Sequence, residues 1–507
     1  MIDLDSLSDI EEIISFGKYR GNSLKWVAEN DARYLEWFRN GTDYGRENTE
    51  QIDEALAAAR LAKVTAAPPI DLTEHQEERA EIIRAGIADG NNVLRLDGGA
   101  GYGKSYVTQD LAADAIRNGM TVRAMAVSYV ATQVLAEQLE PLGVECGTCA
   151  RMMRFTVRHE GGVEIYEHSE NTYDVVAEML RPGNMLIVDE ASMVSDRDAA
   201  ILIETARDLG GVLVLVGDAY QLPPVKQEHL SMCCLPDTVD VTATLTKPMR
   251  YSEDSHLFQI EQAARANPSE LVYGSSGVLL PSSELTVART MEEVYARYME
   301  RYRDDPVARH RMLLFRRDDV NAANNAIRDA LYGPGAGIVE EDEQLMILRT
   351  GDTPANEDNA IRYYSGQIYR VLDKTQALYE IRIGDADFRI PHYRVRFDNN
   401  APAVRVVFGI TEATMDTSKL GGLEYQRALS AAQEYGRGLG EWGPYRQLLD
   451  DFVRVAYTYA TSVHRAQGQT VDYSYCSPRA LMTVRGLMGN ALTYVAMTRA
   501  RKHLTVF

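Results

Sequence analysis

Eight consecutive residues, Gly98-Gly99-Ala100-Gly101-Tyr102-Gly103-Lys104-Ser105, follow the spacing G-x-x-x-x-G-K-[ST]. That pattern binds phosphate. Glycines let backbone N–H groups wrap an anion at a helix N-terminus, the lysine reaches the β- and γ-phosphates, and the serine hydroxyl ligates Mg²⁺. Gly98, Gly101, Gly103, Lys104 and Ser105 are therefore expected to hold ATP, with Mg²⁺ on Ser105. A second constellation, Met185-Leu186-Ile187-Val188-Asp189-Glu190, is an apolar strand ending in two acids. Open α/β sheets bind ligands at that edge, so Asp189 is expected to hold Mg²⁺ through water and Glu190 to orient and deprotonate the attacking water. The two constellations together predict nucleotide hydrolysis. Cys146 and Cys149 have C-x-x-C spacing, but no second Cys/His pair with ligand spacing stands near them, and no zinc is assigned.

Chemistry of this kind needs a parallel sheet to present it. From residue 91 the chain alternates short apolar runs (92–96, 122–127, 185–188, 212–216) with helical segments such as 104–115. Such alternation implies helices on both faces of a parallel sheet. A similar region starts at 310–331 and closes with 494–497 and 503–507. Between them, residues 366–408 alternate polar and apolar, as antiparallel strands of a small inserted barrel do. Residues 1–48 form a separate small unit with aromatics Tyr34, Trp37 and Phe38, and the alanine-rich 49–70, broken by Pro68-Pro69, reads as a helical linker.

The chain has 507 residues and 45 % hydrophobic composition, enough for several domains with buried cores. It shows no apolar run of membrane-spanning length, and its N-terminus is acidic where a secretory signal is basic and then apolar, so a soluble, cytoplasmic protein is expected. A net charge of −21, from 74 acids and 53 bases, argues against a histone-like phosphate binder. It leaves room for a basic channel in an acidic body.

Further motifs give the hydrolysis a use. Leu72-Thr73-Glu74-His75-Gln76, Asp189-Glu190-Ala191-Ser192-Met193, Gly217-Asp218-Ala219-Tyr220-Gln221-Leu222-Pro223-Pro224-Val225, Leu245-Thr246-Lys247-Pro248-Met249-Arg250, Thr461-Ser462-Val463-His464-Arg465-Ala466-Gln467-Gly468 and Tyr494-Val495-Ala496-Met497-Thr498-Arg499 occur in this order. With the glycine-rich loop they resemble the motif series of superfamily 1B DNA helicases, in the RecD/Dda branch, from Leu72 to Phe507. The resemblance implies two RecA-like P-loop parallel-sheet domains (71–245; 246–335 with 450–507), a hairpin pin at about 154–170, an SH3-like β-barrel with a helical segment at 336–449, and a small N-terminal α+β domain at 1–48. It implies that Gln76 reads adenine and Gln221 senses the γ-phosphate. Arg250 and Arg499 would be γ-phosphate arginines, and Gln467-Gly468 would approach the nucleotide. The implied activity is 5′ to 3′ translocation on single-stranded DNA with unwinding of forked duplex.

Residues 154–168 alternate around Gly161-Gly162 as a β-hairpin does. Its place is similar to that of the branch's strand-separating pin, and Tyr166 is its candidate fork-stacking aromatic. His464 in the fifth-motif stretch, and Ser128 and Thr148 at strand–loop junctions, are candidate strand contacts; capping is the competing role for the latter two. Phe16-Gly17-Lys18-Tyr19-Arg20-Gly21, Ser23-Leu24 and Tyr34-Leu35-Glu36-Trp37 resemble the small C-terminal domain of exonuclease-X-like proteins. No paired acids with nuclease spacing occur there, so a docking or DNA-binding role, with a replication or recombination protein as partner, fits better. A monomeric phage or mobile-element motor is expected, acting in the host cytoplasm if phage-encoded. A translocase that remodels protein–DNA complexes or RNA without unwinding, and an ATP-gated loading or scaffold protein, are the competing readings.

Overall fold

The computed structural model describes residues 13–14, 17–160, 163–274, 277–306, 308–352, 362–399, 401–411 and 414–507. They fall into two compact units. The first comprises Met1–Phe155, His168–Ala219 and Pro223–Arg250, and the second Thr156–Glu167, Tyr220–Leu222 and Tyr251–Phe507.

The first unit is built on six parallel strands, in the order Glu145–Thr148, Thr121–Ala126, Asn184–Asp189, Val212–Gly217, Val93–Gly98, Val241–Leu245. A parallel sheet covered on both faces needs apolar residues on both, and Val212–Gly217 is buried at every position. The glycine-rich loop leaves Val93–Gly98 and enters the helix Lys104–Arg117. Helix Glu74–Ala88 starts at a capping box in which the Thr73 hydroxyl accepts from Gln76 N and the Gln76 side chain accepts from Thr73 N.

The N-terminal residues belong to this unit. Helices Leu24–Asn30, Ala32–Gly41, Asp43–Glu47 and Thr49–Ala66 enclose a core of Ile14, Leu24, Val27, Leu35, Phe38, Ile52, Ala55, Leu56 and Ala59. Its β content among the described residues is the bridge between Ile13 and Ser23. Phe16, which opens the motif quoted for this module, lies outside the described residues. The segment 49–70, read as a linker, is largely the module's fourth helix. Ile52, Ala55, Leu56 and Ala59 recur at helical spacing, and small alanines admit the close packing that a linker composition conceals. Arg60 pairs with Glu36 at 2.5 Å and reaches the Thr121 hydroxyl at 3.3 Å, and Arg39 meets Glu178 at 3.1 Å, so the module is fastened to the sheet domain.

In the second unit, five parallel strands run in the order Ala460–Ser462, His310–Leu314, Val471–Cys476, Ala500–Val506, Leu285–Val287. A barrel follows from a second set of pairings. Gln344–Ile347, Ile368–Ile383, Ala386–Phe397, Val404–Thr411 and Phe452–Tyr457 pair in a closed ring. The last of these strands was expected in the parallel-sheet domain beginning at 450. It closes the barrel instead, because antiparallel pairing to Gln344–Ile347 and parallel pairing to Val404–Thr411 satisfy both its edges. Helices Gly422–Leu439 and Gly443–Asp451 lie before it in the chain. Thr156–Glu160 and Val163–Glu167 form the antiparallel hairpin, whose Gly161-Gly162 turn lies outside the described residues.

Candidate functional site

In the first unit, the strand Val93–Gly98 ends where the backbone must turn sharply. Gly101 and Gly103 both take left-handed φ, +82° and +80°. A Cβ at Gly101 would meet Arg250 at 2.7 Å, and one at Gly103 would meet Gln76 Nε2 at 2.2 Å, so glycine is required on both grounds. The carbonyl of Gly101 accepts from the backbone N–H groups of Met249 (2.8 Å) and Arg250 (3.0 Å). The structure thus brings Arg250, distant in sequence, against the phosphate loop. Lys104 Nζ donates to the carbonyls of Gly98 (2.7 Å) and Gly99 (3.1 Å), which arch it over its own loop.

The Asp189 carboxylate accepts from Glu190 N at 2.8 Å. Burial pushes its pKa up, with Lys104 pulling the other way. A second cation would relieve that burial, and a serine hydroxyl with a carboxylate is a hard-oxygen set that nucleotide phosphates complete for Mg²⁺. Ser105 and Asp189 fit such an ion. Glu190 sits at φ +51°, a left-handed conformation rare for a non-glycine residue.

Gln76 is buried beside this loop, but its amide is engaged. Oε1 accepts from Thr73 N (3.0 Å) and Thr73 Oγ1 (3.1 Å), and Nε2 donates to the Gly103 carbonyl at 3.4 Å. Adenine reading requires it to exchange these partners. His75, not singled out from sequence, joins the same corner: its Nε2 accepts from Thr246 N at 3.0 Å, tying the helix start to the end of Val241–Leu245. Nothing local distinguishes such a histidine from a solvated one. Burial lowers its pKa and keeps it an acceptor. Ser128 and Thr148 cap the helices Tyr129–Leu139 and Cys149–Met152, their hydroxyls each accepting a backbone N–H at 3.2 Å. Cys146 and Cys149 are buried thiols, the former pushed up to about 12 by desolvation.

The second unit carries the remaining residues. Gln221 is buried, and among the described residues its Oε1 has no hydrogen-bond partner. Gln467 is buried with both amide atoms unpartnered among the described residues, followed by Gly468 at φ +73°. Arg499 is 2 % exposed and donates from Nε to Val495 O at 3.2 Å and from Nη1 to Gln469 O at 3.3 Å. Both carbonyls come from its own unit. His464 lines a cleft of about 340 Å³ with Phe315, Arg317, Asn321, Tyr457 and Arg465, under the barrel residues Met346 and Phe408. Two arginines, an imidazole and aromatic rings suit phosphates and bases. Phe315, Arg317 and Arg465 were not foreseen as cleft residues; Arg465 stood in a quoted motif but carried no assigned role. Tyr166 is half exposed on the hairpin, opposite Val157.

Residues 73–274 match the AAA domain family, and residues 14–40 the exodeoxyribonuclease X-like C-terminal family. The chain is 26 % identical over 331 residues to a probable conjugal transfer protein TraA of Sinorhizobium fredii, covering 64 % of this chain and 24 % of that one. It thus spans about a quarter of the length of the conjugal transfer relatives it matches. It is 20 % identical to the ATP-dependent DNA helicase dda of Enterobacteria phage T4, over 85 % of this chain and 98 % of that protein. A solved structure of Bacteroides Pif1 bound to single-stranded DNA aligns with a TM-score of 0.44 at 17 % identity, over 86 % of this chain and 92 % of that one. With the seven motifs in order and the T4 protein matched almost end to end, the chain is similar to superfamily 1B helicases, carrying an AAA domain over residues 73–274 and an exonuclease-X-like C-terminal module over residues 14–40.

Proposed function

We propose that this chain is an ATP-dependent DNA helicase that translocates 5′ to 3′ on single-stranded DNA and unwinds duplex ahead of it. The observation that carries this reading is the nucleotide corner of the first unit, where Lys104, Asp189, Glu190 and Arg250 converge on one glycine-rich loop. Lys104 and the loop amides bind the β- and γ-phosphates, Glu190 takes the proton of the attacking water, and Arg250 stabilises charge on the phosphoryl group. Ser105 and Asp189 would hold Mg²⁺, which would supply neutralisation of phosphate charge. Gln221, Gln467 and Arg499 couple this turnover to the second unit, whose cleft at His464, Arg317 and Arg465 takes the strand. Tyr166 on the hairpin meets the fork. The relatives, conjugal transfer proteins and a phage helicase, support a part in replication or recombination of mobile elements, with action in the cytoplasm, the host's if the chain is phage-encoded. The motor acts as a monomer.

The test is unwinding of forked DNA by purified protein with ATP and Mg²⁺, comparing 5′-tailed with 3′-tailed substrates. Unwinding of the 5′-tailed fork alone is expected. DNA-stimulated ATP hydrolysis without unwinding would make the chain a translocase. No hydrolysis at all would leave an ATP-gated binding protein. Lys104→Ala is expected to lower phosphate release by about 10²-fold or more, and retained DNA-stimulated turnover would remove the site assignment.

A further inference from the structure

The N-terminal module presents two faces with different compositions. Leu24, Val27 and Ala28 of its first helix, and Leu35 and Phe38 of its second, point into the core. On the outward face of the same helices stand Trp26, 42 % exposed, and Trp37, 60 % exposed. Exposing two tryptophans costs solvation that the core does not need, since the core is complete without them.

The two tryptophans are the ends of one row. Trp26 lies 5.8 Å from Tyr19, Tyr19 lies 4.9 Å from Tyr34, and Tyr34 lies 5.5 Å from Trp37, centroid to centroid. The row is held in place. Tyr19 Oη donates to Asp31 at 2.8 Å, Tyr34 Oη accepts from Lys18 N at 3.2 Å, and the Trp37 ring lies over Gly41, where a Cβ would stand 3.3 Å from it. Lys18 Nζ sits 4.7 Å from the Tyr19 centroid, and Arg20 and Lys25 are exposed alongside. Residues 17–40 carry five Lys/Arg and three Asp/Glu, whereas the whole chain carries 53 and 74. This stretch is net basic in an acidic molecule; Lys18 pairs with Asp31, Arg33 with Glu140, and Arg39 with Asp53 and Glu178, which leaves Arg20 and Lys25 as its exposed cations outside these pairs.

A fixed aromatic row with a basic rim matches the chemistry of single-stranded nucleic acid, whose bases stack and whose phosphates attract cations. A protein partner is the poorer fit, because the row is bordered by the Lys18–Asp31 pair and the exposed Arg20 and Lys25 rather than by a continuous apolar patch. We propose that the outward face of residues 17–40 is a second binding site for single-stranded DNA, with bases stacking on Trp26 and Trp37 and phosphates meeting Lys18, Arg20 and Lys25. The site is fastened to the first unit through Arg39–Glu178 and Arg60–Thr121, so a strand held there stays tethered to the motor.

The chain has three tryptophans, and the third, Trp442, packs against Tyr445 in the second unit. Full-length Trp442→Phe therefore emits only from the proposed site. Without nucleotide, oligothymidine is expected to quench its emission, with a midpoint that weakens steeply as salt rises. Trp26→Ala/Trp37→Ala should lose about 30-fold or more in affinity at this site, given that each of two stacked bases is worth about 1–3 kcal/mol. Trp26→Phe/Trp37→Phe should restore most of it, which separates stacking from folding, and DNA-free ATP turnover should not change. Emission unaltered at oligonucleotide concentrations that saturate anisotropy would overturn the proposal. So would self-association that is lost in Trp37→Ala while DNA leaves the emission unchanged, because the row would then cover a second copy. Failure of the motor reading would appear separately, as absent DNA-stimulated ATP hydrolysis with the quench intact.

Discussion

At Gly103 an added methyl carbon would sit 2.2 Å from Nε2 of Gln76, on a backbone at φ +80°. Gly103→Ala should therefore cost about 1–2 kcal/mol from the left-handed backbone alone and weaken ATP binding at least several-fold, as titration calorimetry with ATP would report. Glu190 behaves in the opposite sense. It occupies φ +51° as a non-glycine residue, so Glu190→Gly relieves strain while deleting the base. Its thermal midpoint should match or exceed that of the parent while turnover falls about 10²-fold or more; a clear drop in midpoint would show that the strain is not real. At this scale the sequence was informative where chemistry is local. Glycine, lysine and serine at fixed spacing announce the loop, whereas the capping box of Thr73 and Gln76 emerged only in the structure. The contact of Arg250 with Gly101, and the Thr246 bond to His75, join residues more than a hundred positions apart. No local pattern encodes those.

Arg328, on the helix Arg317–Tyr332, donates from Nε and Nη2 to both oxygens of Glu343 at 2.5 and 3.0 Å, just ahead of the barrel strand Gln344–Ile347. The carboxylate also accepts from Tyr459 Oη at 3.1 Å and from Glu340 N at 2.9 Å. Removing one partner of a buried pair strands the other, so Arg328→Met should lower stability by about 3–5 kcal/mol. Arg328→Met/Glu343→Leu should recover much of that loss, and urea unfolding of both variants checks it. Equal losses in the two variants would mean that the pair itself, and not the stranded charge, is what stabilises the junction. Alternation in 366–408 made strands readable, because period-two patterning is set within each strand. Ring closure was not readable. Phe452–Tyr457 is a short apolar run like those of a parallel sheet, and which edge it joins is decided by partners far away in the chain.

Across the whole molecule, among the described residues, burial lowers the pKa of His75, His310, His392, His464 and His503, the last to about 4. His503 is held neutral, Nδ1 donating to Ser283 O and Nε2 accepting from Thr286 Oγ1, both at 2.9 Å. A histidine whose folded pKa lies below its unfolded value near 6.5 stabilises the fold fully above that value. The contribution is lost as pH falls through 6.5 toward 4. The denaturation midpoint should thus drop between pH 7 and pH 5, and His503→Gln should flatten the profile while lowering it at neutral pH. A midpoint that holds steady over that range would contradict the assignment. Among the described residues no helix is long and apolar enough to cross a membrane.

The closing strand of the barrel runs through Thr458 and Tyr459 directly into the parallel strand Ala460–Ser462. The barrel is consequently not an exchangeable cassette. Excising it at its first four strands leaves an open sheet edge on the piece that remains, and grafting it elsewhere without Phe452–Tyr457 transplants an open ring. Recombination between related genes that respects only the visible insertion would yield chains with a raw, sticky margin. Viable hybrids should therefore have crossover points before Gln344 or after Ser462, so that barrel and sheet are inherited together.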